Sequence, residues 1–371
     1  MVNGGRTVQL PSVELHNDTI PARTPQRIAR RGRVQRLIEV AERFGLVRAL
    51  EPFHDRLRAT LTVLAYHRVM PVDALAAYPF DPELISATPD QFEWQMEYLR
   101  RHRNLVSLKQ VQAHLEGAQR LPPAAVAVTF DDGFSDTYRY AFPVLKRFAI
   151  PATIFVTTGY VDSGEPFWFE LAAYLALRVP PRSLRVEGSE AAFPLGTSAA
   201  ERRRSLHDIQ ELLKNLPNAR RTAVVGQWAR QFQAQIEHGA IAHSRPISWS
   251  QVAEMAAAGI EFGSHTVTHP NLTRLSDTEL EWELAESKRV LETRLNGAVT
   301  ALAYPIGTRS AFDARVISAA ERAGFRLGVS YIPGANRQMS LERYELRRHG
   351  VGLGTTARYF RALVSLPDWL E

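Results

Sequence analysis

Apolar residues fall along this chain in short runs that are hydrophobic at both parities. Leu61–Tyr66 (LTVLAY), Ala125–Phe130 (AVAVTF) and Ala152–Thr157 (ATIFVT) are the clearest, and Ile260–Gly263, Thr300–Tyr304, Leu327–Ser330 and Glu345–Val351 are shorter examples. A strand that is apolar on both faces is covered on both faces, which is the habit of parallel sheets flanked by helices. Between the runs, apolar residues recur at helical spacing in Gln91–Arg101, Asp136–Phe148, Ser248–Ala258, Thr278–Leu295 and Phe312–Ala323, and Ser276 is placed to cap the fourth of these. The alternation predicts an α/β fold. It is either a distorted (β/α) barrel of about seven parallel strands or an open doubly wound sheet.

Two regions depart from that rhythm. Residues 162–247 show no clear strand pair and read as mostly helical with an Arg-rich surface, so we expect an insertion between two barrel strands. Insertions at the C-terminal ends of barrel strands shape substrate sites, as a lid or as a buttress. Residues 1–25 read as a polar lead-in containing Pro11, Pro21 and Pro25, and residues 26–50 as an amphipathic helix with Arg on its polar face. The expected division is a basic N-terminal part over 1–58 and a barrel domain over 59–371. The N-terminal helix packs on the main body or, in the second reading, touches a membrane surface.

Composition narrows the chemistry. The chain has 371 residues and no cysteine, which excludes disulfides, thiolate catalysis and Cys-based zinc sites. Any metal must be held by imidazole and carboxylate. The formal net charge is +6, and residues 1–50 carry nine Arg and no Lys against Glu14, Asp18, Glu39 and Glu42, so the remaining body is close to neutral. A nucleic-acid partner is therefore not expected. The N-terminus shows no charged start followed by an apolar run, and no stretch approaches the ~18 apolar residues of a membrane span, so the expectation is a cytoplasmic protein, with peripheral membrane association left open.

Two motifs stand at strand ends. Thr129-Phe130-Asp131-Asp132-Gly133 closes the second long apolar run. Two adjacent acids there are costly unless something stabilises them, and the alternative is a helix N-cap. Ser264-His265-Thr266-Val267-Thr268-His269-Pro270 follows Ile260–Gly263. Two His four residues apart can face one point, and Pro270 favours a bent turn over a long helix there; the alternative is two surface histidines. Together the motifs offer a carboxylate and two imidazoles for a divalent metal with open positions, and a further carboxylate that can accept a proton from water.

TFDDG followed about 130 residues later by SHTVTHP resembles the NodB-like polysaccharide deacetylases, carbohydrate esterase family four, over about residues 60–350 apart from the insertion. The resemblance implies a metal-dependent hydrolase that removes N-acetyl groups from an amino sugar in a polysaccharide, oligosaccharide or glycolipid precursor, releasing acetate. By it, Asp131 is the general base and Asp132, His265 and His269 hold one divalent ion, Zn2+ by default, with Co2+, Ni2+, Fe2+ or Mn2+ as alternatives. Ala303-Tyr304-Pro305-Ile306-Gly307 is similar to the family's Arg-x-Pro-Tyr/Phe-Gly motif. That implies an oxyanion-binding N–H at Ile306 and groove-lining roles for Tyr304 and Pro305. Ala303 stands where that motif has arginine, and Arg309 is a candidate substitute. Ala65-Tyr66-His67-Arg68-Val69 resembles the circularly permuted branch that includes poly-N-acetylglucosamine deacetylases, which makes His67 the general acid, with His349 as the other candidate. Trp168, with Phe167 and Trp249, is a candidate sugar-stacking wall, and Asp136 reads as a helix-start residue. Two other functions stay open: deacylation of a small non-sugar amide, and glycan binding without catalysis.

Overall fold

The computed structural model describes residues 59–72, 78–180, 183–186, 192–233 and 244–367, together with Val40, Arg43 and Phe44. The expected N-terminal helix over 26–50 and its membrane contact lie outside the described residues but for those three.

Among the described residues, nine strands form one sheet: β1 Thr60–Tyr66, β2 Asn104–Leu105, β3 Ala125–Phe130, β4 Ala152–Val156, β5 Glu261–Ser264, β6 Ala301–Ala303, β7 Leu327–Val329, β8 Asn336–Arg337 and β9 His349–Gly350. Their order is β7-β6-β5-β4-β3-β1-β8, with β9 also beside β1 and β2 beside β3. All pairings are parallel except β1 with β8. The chain around 343–351 spans the two ends of the curled sheet. Leu346 bonds to Gly328 and Ser330 on one side, and β9 pairs with Leu64 and Ala65 on the other. The result is the distorted (β/α) barrel that the apolar runs predict.

Parity along the strands sorts side chains between two cores. Leu61, Val63, Ala125, Ala127, Phe155, Ala301, Ala303, Leu327 and Val329 share the inner cluster. Leu64, Tyr66, Val126, Val128, Phe130, Ile154, Leu302 and Tyr304 belong to the outer one. The outer cluster is covered by α1 Pro89–His102, α3 Phe142–Phe148, α8 Trp249–Ala257, α9 Asp277–Leu295, α10 Ala314–Arg322 and α11 Ala357–Ser365. Helix α2 Leu108–Leu115 instead closes the N-terminal end of the barrel, where the Glu261 carboxylate accepts from Leu108 N and Thr153 Oγ1. Helices α1, α2, α8 and α9 begin at reciprocal capping boxes on Thr88, Ser107, Ser248 and Ser276, as does α6 (Ala199–Asn215) on Ser198. Each such cap contributes about 1 kcal/mol.

After β4 the chain forms α4 (Thr158–Ser163) and then the insertion: α5 Trp168–Arg178, α6, and α7 Asn218–Gln231. Its core of Phe167, Trp168, Leu175, Leu206, Ile209, Val224 and Trp228 is separate from the barrel cores. One expectation is corrected here. The insertion does contain a strand pair, the antiparallel hairpin of Ser183–Arg185 with Ala192–Pro194. Its strands are three residues each, too short to show a period.

Candidate metal and catalytic site

The inner parity continues past the strand ends into the site. His67 follows Ala65, Asp131 follows Thr129, His265 follows Gly263 and Tyr331 follows Val329, so period two sends all four toward the mouth of the barrel at its C-terminal end.

Asp132 leaves the strand pattern by a left-handed backbone, φ 70, followed by Gly133 at φ 79. Asp tolerates that region better than most side chains. A Cβ at Gly133 would lie 2.8 Å from Val156 Cγ1, so only glycine fits the turn. The turn brings Asp132 Oδ1 to 3.5 Å from His265 Nε2 and 3.4 Å from His269 Nε2. All three side chains are buried, and Asp132 Oδ1 has no hydrogen-bond partner. Burial, then the neighbouring Asp131, pushes the Asp132 carboxyl well above its ordinary value. Burial, then His265, holds the His269 ring well below the usual imidazole value. His265 Nδ1 lies 2.8 Å from the Ala303 carbonyl oxygen. Donation to that oxygen leaves Nε2 as a lone pair facing Asp132. Ligand atoms at ~2.0–2.2 Å from a tetrahedral ion are ~3.3–3.5 Å apart. The two spacings from Asp132 match that, so the donor set fits a divalent metal.

His265 and His269 are joined by a bent turn, as Pro270 predicts. Thr266 (φ 68) and His269 (φ 55) are both left-handed. Glu283 of α9, buried, accepts from Val267 N at 2.7 Å, Thr268 N at 3.0 Å and the Thr268 hydroxyl.

Asp131 is held differently. Arg348 donates from Nη1 to Oδ1 and from Nη2 to Oδ2, both at 2.7 Å. The same guanidinium donates to the Ser330 carbonyl and to Thr129 Oγ1. Burial opposes charge on Asp131, but Arg348, His265 and His67 together outweigh it, and the carboxyl is held down to about 2. Arg348 thus supplies Asp131 with a guanidinium partner, which Ala303 cannot. Arg309 is exposed and does not substitute. Arg348 sits in the Arg347-Arg348-His349 stretch that drew attention only for its histidine. Because neighbours on a strand face opposite ways, Arg348 on Asp131 turns His349 away from it.

His67 is half-buried, with its ring centroid 5.5 Å from that of Tyr331. Burial lowers its pKa to about 4, Asp131 raising it and Arg348 and His265 lowering it. Ile306 has φ 66, an unfavourable conformation for a β-branched residue, and its N–H makes no hydrogen bond among the described residues.

Several expected substrate contacts are placed elsewhere. Tyr304 has the outer parity; its ring is buried and stacked on Phe312 at 4.4 Å. Pro305 is buried. Trp168 and Phe167 lie in the insertion core, and Trp168 Nε1 donates to the His269 carbonyl at 3.1 Å. Trp249 donates to Asp162 and lies under Arg294. None of them forms a sugar-stacking wall. Tyr331, half-buried beside His67, with its N–H on the Gly307 carbonyl, is the aromatic that sequence reading missed. Asp136 does stand at a helix start, immediately before Thr137–Ala141, but its side chain makes no capping bond: it accepts from Arg68 Nε at 2.7 Å, and Arg68 also reaches Glu170 of the insertion at 3.0 Å.

A parallel barrel with a buried Asp–His–His group and a second, Arg-locked Asp at its C-terminal mouth is the frame of a hydrolase. Residues 118–187 and 198–328 match the family described as polysaccharide deacetylase, and the chain belongs to that family. YxkH of Bacillus subtilis (strain 168), named for the same family, is 24% identical over 310 residues, covering 82% of this chain and 76% of YxkH. The poly-beta-1,6-N-acetyl-D-glucosamine N-deacetylase of Staphylococcus aureus is 31% identical over 105 residues, 26% of this chain and 36% of that protein. Among solved structures, Streptococcus pyogenes deacetylase PplD in complex with acetate superposes with a TM-score of 0.55 at 21% identity, covering 84% of this chain and 99% of that one. IcaB from Ammonifex degensii gives 0.51 at 21%, covering 84% and 97%. These likenesses show the shared barrel fold.

Proposed function

We propose that the protein is a metal-dependent N-deacetylase of an N-acetylated amino sugar, carried as a glycan or glycolipid precursor. The observation that carries this is the partnerless Asp132 Oδ1 between two imidazole Nε2 atoms, next to an Asp131 locked as an anion by Arg348. The name of the Staphylococcus aureus relative supports the substrate class. Asp132, His265 and His269 are the assigned ligands, for Zn2+ first and Co2+, Ni2+, Fe2+ or Mn2+ otherwise. When bound there, a divalent ion lowers the pKa of water and polarises an amide carbonyl.

The chain's own residues divide the rest. Asp131 accepts the proton of the attacking water as its oxygen bonds to the acetyl carbon. The Ile306 N–H donates to the oxyanion that forms. His67 protonates the nitrogen as the carbon–nitrogen bond breaks, giving acetate and a free amine. At neutral pH the His67 ring is uncharged at rest, so its proton must arrive during turnover. Asp131, held below the usual carboxylate range, has little tendency to keep the proton it accepts. Tyr331 lies beside His67 where a pyranose ring would stack.

The test is acetate release from a panel of N-acetylated oligosaccharides, lipid-linked sugars and small acetamides, with and without chelator. Asp132→Ala should lose metal and turnover together, whereas Asp131→Asn should keep the metal and lose turnover. Wild-type turnover by Asp131→Asn would remove the base assignment, and turnover confined to small acetamides would remove the glycan.

A further inference from the structure

The backbone groups of the 265–269 turn are shared between two parts of the molecule. On the donor side, Val267 and Thr268 N–H go to Glu283 of α9, and His269 N–H goes to Thr266 Oγ1. On the acceptor side, the Thr266 and Val267 carbonyls take the Thr158 and Gly159 N–H groups at the start of α4. Among the described residues, the last two carbonyls are answered from the insertion alone. Arg221 of α7 donates from Nη2 to Thr268 O at 2.9 Å and from Nη1 to His269 O at 3.1 Å, and Trp168 of α5 donates from Nε1 to His269 O at 3.1 Å.

Arg221 is itself fixed. It is 2% exposed, and its guanidinium carbon lies 4.9 Å from the Trp168 ring centroid. Its Nη2 also donates to Asn218 Oδ1, which in turn accepts from Thr268 Oγ1 at 3.3 Å. The fork therefore spans two successive carbonyls, a geometry that a guanidinium meets and an ammonium does not. It does so at a residue whose backbone is left-handed and which precedes a proline. Such a conformation persists only where the surroundings over-determine it.

We infer that Arg221 is a positioning residue for His269, so that the helical insertion completes the metal site from outside the barrel. The inference rests on the metal reading above. Arg221 touches no reacting atom. Its effect is to hold the His269 ring where its Nε2 faces Asp132, and outer partners of metal ligands typically change affinity by about 10–100-fold.

The experiment uses full-length protein stripped with chelator and titrated with Co2+, read by calorimetry and by the visible absorption of the bound ion. R221Q should bind Co2+ about 10–100-fold more weakly, with an altered band shape. R221K keeps the charge but not the fork and should behave likewise; it also serves if R221Q does not fold. W228F removes the Trp228 Nε1 bond to the Arg185 carbonyl, in the same insertion but away from the turn. It should lower the melting temperature and leave Co2+ affinity and spectrum as in the wild type. Folded Arg221 variants with wild-type affinity and spectrum overturn the inference. So does a loss of affinity in W228F equal to theirs, which would mean general loosening. Wild-type protein that takes up no Co2+ removes the metal reading itself and this inference with it.

Discussion

Replacing Arg348 by methionine should invert the way acid acts on this protein's stability. Arg348 and Asp131 form a two-point ion pair with both side chains nearly inaccessible. Folding takes the Asp131 carboxyl from an ordinary ~3.9 down to about 2. A depression of roughly two units is worth about 2–3 kcal/mol at neutral pH. Because the folded value is the lower one, that stabilisation is complete above about pH 5 and fades as pH falls through 4 toward 2. In Arg348→Met the carboxylate stays buried without its cation. Burial then dominates, the carboxyl rises above its ordinary value, and the variant loses about 3–5 kcal/mol at neutral pH. Acid now relieves the variant by protonating Asp131 while it weakens the wild type. The assay is urea unfolding of both proteins at fixed pH from 3 to 8. The difference in unfolding free energy should be largest above pH 6 and shrink steadily toward pH 3. A difference that stays constant across that range would show that Arg348 stabilises by packing, not by holding Asp131 ionised. The acid limb of kcat/KM should move upward in parallel, since the base would be protonated at a higher pH.

Other expectations follow from the same geometry. Glu283→Ala leaves the Val267 and Thr268 N–H groups without their acceptor, and should cost about 2–4 kcal/mol by thermal or urea unfolding; a loss below 0.5 kcal/mol would mean that water replaces the carboxylate. Ile306→Gly relieves a β-branched residue at φ 66 and keeps the N–H, so it should gain on the order of 1 kcal/mol, readable as a higher Tm. Tyr331→Ala should raise KM for oligosaccharides about threefold to tenfold with kcat little changed, the size of one lost aromatic contact; an unchanged KM would take Tyr331 out of the substrate site.

Much of this molecule was legible before folding, and the reason is parity. The apolar runs marked the strands because each is covered on both faces. The two motifs marked the residues of the buried Asp–His–His group because acids and imidazoles at buried strand ends need a partner. Parity could have gone further. Counting by twos from Ala301 and Leu327 places Tyr304 on the outer face and Tyr331 on the inner one; in the structure Tyr304 lies in the outer cluster and Tyr331 beside His67. Motif resemblance pointed instead to Tyr304. Arg348 was not legible as a partner for Asp131, because the pairing joins positions 217 residues apart and depends on how the sheet curls. Arg221 was hidden for a related reason: in sequence it is one Arg among several on a helix, and only the docking of α7 against the turn singles it out. The insertion hairpin was missed because three-residue strands carry no period.

The stretch around 343–351 both joins the two ends of the sheet and supplies the cation for Asp131. During synthesis Asp131 emerges long before that stretch does. Until it arrives, a buried Asp131 would have no guanidinium and would favour the protonated, inert form. The order of the chain thus delays an ionised Asp131 until the ring of strands is complete. A partly made chain holds Asp132, His265 and His269 and still lacks the cation that keeps Asp131 ionised.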